Sequence, residues 1–220
     1  MAFNLLTPPN ELNIVDPDEL NLEPHAEPKK FPNVGWLECD TPQWIRDIIM
    51  EDVKDPGDDF RGRLAGHTQG ARSMPRLKAN NDYELWLSNL VRDYHAAFPS
   101  YLETLGHFKD EMQIRLSEVW VNYHYKHDFN PMHYHTGVFS YVTWIRIPYK
   151  REDEAKQFIT REPQAGQFLF TYINAMGEVC DQWVEQREWT TLFFPSRMRH
   201  KVHPYYTTDE VRVTLSGNLL

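Results

Sequence analysis

The sequence predicts a mainly β chain, a sandwich or barrel, with a helical layer on its N-terminal side. Two observations carry this. Apolar residues recur at helical spacing only in the first half, at Trp44, Ile45, Ile48 and Ile49, and again at Leu85, Leu87, Leu90, Val91 and Tyr94. Beyond about residue 111 the pattern changes to alternation, in short segments rich in Val, Tyr and Trp with turn residues between them. Helices first and many short strands afterwards describe an α+β arrangement, not repeated βαβ units.

The elements follow in order. Residues 1–34 hold six of the fifteen prolines and many acids, which suits an extended or poorly ordered arm. A first helix opens at Thr41-Pro42, a capping residue with proline in the first turn, and runs to about Met50. Gly, Arg and Pro then mark a loop from about Asp55 to Asn81. A second helix begins near Asn81-Asp82, stops near Pro99 and continues briefly through Tyr101, Leu102 and Leu105. Residues 35–110 therefore form the helical layer and 111–220 the β core. Strand candidates in the core are 113–126, 137–148, 155–160, 166–173, 189–194, 199–203 and 210–218. Turn signals such as Asp128-Phe129-Asn130-Pro131, Gln164-Ala165-Gly166 and Thr207-Thr208-Asp209 separate them.

Composition narrows the function. At 220 residues and 41% hydrophobic the chain can bury a sizeable core as one domain with extensions. A net charge of −9 argues against nonspecific nucleic-acid binding, which depends on Lys and Arg neutralising phosphates. Cys39 and Cys180 form no C-x-x-C pair, so neither a cysteine zinc site nor a disulfide framework is expected, and a reducing compartment suits them. The first twenty residues lack the basic and apolar regions of a secretory signal, and no run approaches the roughly 18 apolar residues of a membrane span. A cytoplasmic protein without membrane partners is the expectation. Oligomeric state is not legible.

Chemistry concentrates in the histidines. Four of the ten, His124, His127, His133 and His135, lie within twelve positions. In an extended segment His133 and His135 point the same way and Tyr134 the other, so two imidazoles can share one metal ion. His200, after the apolar run Leu192-Phe193-Phe194-Pro195, is the candidate third ligand. On the last strand Arg212, Thr214, Ser216 and Asn218 share one face. An inward guanidinium is costly unless it meets an anion, and its planar fork matches a carboxylate. A metal face beside a carboxylate receptor is what a chelating keto-acid requires. Three histidines with an open position also describe a catalytic zinc centre of a hydrolase or hydratase. Such a centre has no need of Arg212. A cupin-like binding protein without turnover is the third reading.

These residues resemble the 2-oxoglutarate- and Fe(II)-dependent oxygenases, and within them a bacterial and phage group with an H-x-H…H…R pattern. The matching segments are Trp120-Val121-Asn122, Asp128 to His135, Phe139 to Val142, Phe194-Pro195-Ser196 with His200, Val202 and Pro204, and then Arg212 and Asn218. They fall within about residues 111–220. The resemblance implies a double-stranded β-helix (jelly-roll, cupin-like) core. It implies Fe(II) held by His133, His135 and His200, with O2 and 2-oxoglutarate as co-substrates. The co-substrate carboxylate would sit on Arg212 with Thr214 or Ser216 nearby. Tyr141, expected on the His133 face, and Asn122 would contact the same pocket. The implied reaction hydroxylates a small molecule or a protein side chain and releases succinate and CO2. The superfamily's usual second ligand is a carboxylate two residues after the first histidine. His135 stands there instead, and Asp128 and Asp181 are the acids that could in principle replace it. Trp120, Trp144, Phe139 and Phe194 are the candidate pocket walls.

Overall fold

The computed structural model describes residues 34–104, 114–161 and 163–220. The expected N-terminal arm (to residue 33), Leu105 in the helical continuation and the first residue of the 113–126 strand lie outside them.

Alternating segments in the second half build two antiparallel sheets, each with one face turned to the other sheet. The strands are β1 (Leu37–Asp40), β2 (Gly70–Ser73), β3 (Leu116–His124), β4 (Asn130–His133), β5 (Phe139–Arg146), β6 (Phe168–Ile173), β7 (Val179–Val184), β8 (Thr190–Pro195), β9 (Arg199–Val202) and β10 (Arg212–Leu219). The larger sheet runs β1-β8-β5-β10-β3-β2 and the smaller β4-β9-β6-β7. Together they form a jelly-roll, double-stranded β-helix core with helices before it. Val142 and Trp144 of β5, Leu192 and Phe194 of β8, and Phe168 and Phe170 of β6 fill the space between the sheets. Period-two alternation sends Val119 and Val121 of β3, Phe139 and Tyr141 of β5, Phe193 of β8 and Leu215 of β10 to the other face of the larger sheet.

That outer face is covered by helices α1 (Gln43–Val53), α3 (Asn81–Ala97) and α4 (Pro99–Thr104), with the short α2 (Pro75–Lys78) between. Ile45 and Ile49 of α1 and Tyr83, Leu87 and Tyr94 of α3 are fully enclosed there. Asn80 caps α3, its side-chain oxygen accepting from the Tyr83 N–H at 3.0 Å. Thr41 does not cap α1 as expected. Pro42 holds the cap position, and the Thr41 hydroxyl bonds Thr191 at 2.9 Å instead. Trp44 and Leu85, expected on the packing faces, are exposed.

Two further expectations change. Residues 55–81 are not all loop, because β2 pairs with β3 through Gly70 to Ser73. Residues 155–160 form no strand. The helix α5 (Arg151–Ala155) occupies their start, with Glu152, Asp153 and Glu154 favouring its N-terminal turn. The Glu154 carboxylate is wholly buried and accepts from the Tyr206 and Thr207 N–H groups at 2.8 and 2.9 Å, clipping the loop before β10. No helix among the described residues is long and apolar enough to cross a membrane.

Candidate metal centre

β4 carries His133, the segment after it His135, and β9 His200. His133 and His200 are direct partners in the β4–β9 ladder. Their coordinating nitrogens and that of His135 lie within 4.8 Å of one another. His135 Nε2 and His200 Nε2 stand 3.2 Å apart. Two nitrogens bound at right angles, each about 2.1 Å from one ion, would be about 3 Å apart. The rings are aimed from behind. His133 Nδ1 donates to the Pro131 carbonyl at 2.7 Å and His200 Nδ1 to the Met198 carbonyl at 2.9 Å. A carbonyl only accepts, so each Nδ1 carries the proton and each Nε2 keeps its lone pair for an ion.

Electrostatics keep the three rings neutral. Burial pushes the His200 pKa well below the ordinary histidine range, with the neighbouring imidazoles adding to the effect. Burial and His133 lower His135 to about 4, and burial lowers His133. All three are neutral ligands at pH 7. Among the described residues no carboxylate joins them. Asp128 is consumed elsewhere, accepting from the Gln69 and Tyr125 N–H groups at 2.9 Å each. Asp181 is exposed and bonds Thr171 and, at 3.5 Å, Lys201. Three convergent imidazoles with open positions fit a divalent iron-type ion.

The triad opens into a cavity of about 300 Å³ between the sheets. Arg212, Thr214, Ser216 and Asn218 of β10, and Trp120, Asn122 and His124 of β3, line it. Asn122 Nδ2 ties the two strands, donating to Thr214 Oγ1 at 3.2 Å and Ser216 Oγ at 3.4 Å. Arg212 is 1% exposed. Its Nη1 donates to Tyr149 Oη at 2.9 Å, and Tyr205 stacks 5.5 Å away. Tyr149 in turn donates to the Gly166 carbonyl at 2.6 Å. Arg212 Nε and Nη2 have no partner, and no carboxylate pairs with the guanidinium among the described residues.

A family model described as "Putative 2OG-Fe(II) oxygenase" matches residues 118–218, the span that holds the triad, Arg212 and their strands. Residues 118–218 therefore match the 2-oxoglutarate- and Fe(II)-dependent oxygenase superfamily. A Pseudomonas putida prolyl-4-hydroxylase superposes on this chain with a TM-score of 0.52 at 15% identity, over 84% of this chain and 91% of that one. An oxidoreductase of the 2OG-Fe(II) oxygenase family from Burkholderia pseudomallei gives 0.50 at 12% identity, over 84% of each chain. At such identities the likeness is one of fold. No curated protein matches the chain.

Most residues singled out in the sequence meet at this cavity. Tyr141 stands differently. The chain between His133 and Phe139 is not continuous strand, and Gly137 has φ +109°, so the parity counted from His133 is lost. The Tyr141 ring lies on the helical side, 6.2 Å from Tyr83, and meets the cavity only from beneath Gly217. Phe139 also belongs to the helical side, whereas Trp120, Trp144 and Phe194 are walls. Tyr149, Gly166 and Tyr205 carried no motif in the sequence, yet they hold Arg212. Gly166, at φ +71°, lets the Tyr149 ring approach where a Cβ would meet it at 2.7 Å.

Proposed function

We propose that the chain is a hydroxylase in which His133, His135 and His200 hold Fe(II) and Arg212 binds the distal carboxylate of 2-oxoglutarate. The observation that carries this is a fully buried guanidinium with two unpaired nitrogens in the same cavity as three convergent imidazoles. A buried cation without a counter-ion is costly, and a bound dicarboxylate removes that cost. When bound, the iron and keto-acid supply the oxidising chemistry, coupling release of succinate and CO2 to hydroxylation of a C–H bond. The chain's part is positional. The Pro131 and Met198 carbonyls orient the ligand rings. Tyr149 and Tyr205 hold Arg212, Asn122 with Thr214 and Ser216 forms the polar wall, and Trp120, Trp144 and Phe194 exclude water.

The substrate on this reading is a small molecule or a protein side chain. The free thiols Cys39 and Cys180 suit a cytoplasmic setting. The test joins iron content with co-substrate titration. His200→Ala is expected to lose iron, and Arg212→Ala to raise the 2-oxoglutarate concentration needed for succinate release roughly tenfold or more. Zinc retained under chelation with no succinate formed would favour the hydrolase reading instead.

A further inference from the structure

Among the described residues, His124 is the one cavity histidine outside the candidate metal triad. It sits on β3 directly opposite Arg212 on β10, with both side chains on the cavity face. It is 2% exposed, and neither ring nitrogen has a partner. An imidazole always carries at least one N–H, so an enclosed donor is left unused. Arg212 beside it leaves Nε and Nη2 unused. Two adjoining residues thus present four unpaired polar nitrogens to one space, in a protein interior where such groups are ordinarily paired.

The alternative is a histidine that merely fills the core. Core histidines earn that place by bonding a carbonyl or hydroxyl, and this one bonds none. Burial and the Arg212 charge lower its pKa well below the usual value, so it stays neutral beside the guanidinium and adds a donor without adding repulsion. Asn122, one alternation away on the same strand, spends its Nδ2 on Thr214 and Ser216, and its unpaired Oδ1 is an acceptor that offers a carboxylate no hydrogen bond.

We infer that His124 completes the anion receptor with Arg212, its ring N–H donating to the same distal carboxylate of the keto-acid. The inference rests on the reading of Arg212 given above. It makes His124 a determinant of selectivity for keto-diacids over keto-monoacids, since the hydrogen bond exists only when the distal carboxylate does.

The experiment titrates anaerobic, iron-loaded protein calorimetrically with 2-oxoglutarate and with 2-oxopentanoate, which lacks the distal carboxylate. His124→Ala is expected to weaken 2-oxoglutarate roughly tenfold or more and to leave 2-oxopentanoate unchanged. His124→Gln, which restores an N–H donor, should recover part of the loss. Because either variant could fold poorly, the unmutated protein is also observed with 15N-labelled histidine and diamagnetic Zn(II) in place of iron. The His124 N–H resonance should move on adding 2-oxoglutarate and not on adding 2-oxopentanoate. Unchanged affinity in His124→Ala, equal loss for both acids, or a resonance indifferent to the diacid overturns the inference. Arg212→Ala in the same titration separates the two claims. Selective loss there with none at His124 leaves the Arg212 reading intact and removes only His124. No loss at Arg212 removes the reading itself.

Discussion

Tyr149 is a single residue with two duties. Its hydroxyl accepts from Arg212 Nη1 and donates to the Gly166 carbonyl, so the guanidinium is aimed by a phenol whose own proton is committed elsewhere. Tyr149→Phe is therefore expected to leave the fold intact and weaken 2-oxoglutarate by roughly tenfold to a hundredfold, the worth of one hydrogen bond to a charged group. A co-substrate titration of a well-folded variant checks this. The residues that bring their own chemistry were legible in the sequence. The H-x-H spacing and the inward Arg212 are singled out by alternation, and the fold gathers them at one cavity. His124 did not, because its meaning depends on standing opposite Arg212, a neighbour 88 positions away that only the β3–β10 register supplies. Tyr149 and Tyr205 were silent for the same reason.

At the scale of elements, β10 is the strand on which most depends. It pairs with β3 on one side and β5 on the other. One face holds the cavity residues and the other holds Leu215 in the helix-side core. Gly217 is the place where no side chain fits. A Cβ there would meet the Glu118 carbonyl oxygen at 2.6 Å and also the Tyr141 hydroxyl. Gly217→Ala should destabilise by about 1–3 kcal/mol, the usual cost of overpacking. Adding Tyr141→Phe should restore little, because the main-chain clash remains. Denaturant midpoints of the single and double variants test this. The strands that the sequence disclosed were the long alternating runs of β3, β5 and β10, the apolar runs of β6 and β8, and the short β9. β1, β2 and β4 are four residues each and carry little alternation of their own, and β7 reads as largely polar. The false strand at 155–160 has a related cause. Nothing local tells that Glu154 is to be buried against a loop some fifty positions ahead.

For the molecule as a whole, the lowered histidine pKa values combine into one pH response. His124, His133, His135 and His200 are all neutral in the fold and shifted downward, chiefly by burial. In the unfolded chain each would take up a proton near pH 6.5. Below that pH the unfolded state binds more protons than the folded one, so stability is full above about 6.5 and falls as the pH drops toward the folded values. The metal-free protein should show a thermal midpoint that declines between pH 7.5 and 5. A flat profile would contradict the neutral assignment. Bound iron should steepen the decline, since protons compete for the same lone pairs.

The way Tyr141 tucks beneath Gly217 also limits how far the chain can be cut down. The oxygenase-matched span, 118–218, holds every candidate ligand, yet the underside of its main sheet is sealed by residues from before it. Tyr83 leans on Tyr141, and Tyr101 reaches up to donate to the Val138 carbonyl at 2.8 Å. A fragment starting at Ile114 would bare Val121, Phe139, Phe193 and Leu215 to water at once. Such a fragment should be recovered only as aggregate, and a soluble, cooperatively melting one would mean that the helices are ornament rather than foundation.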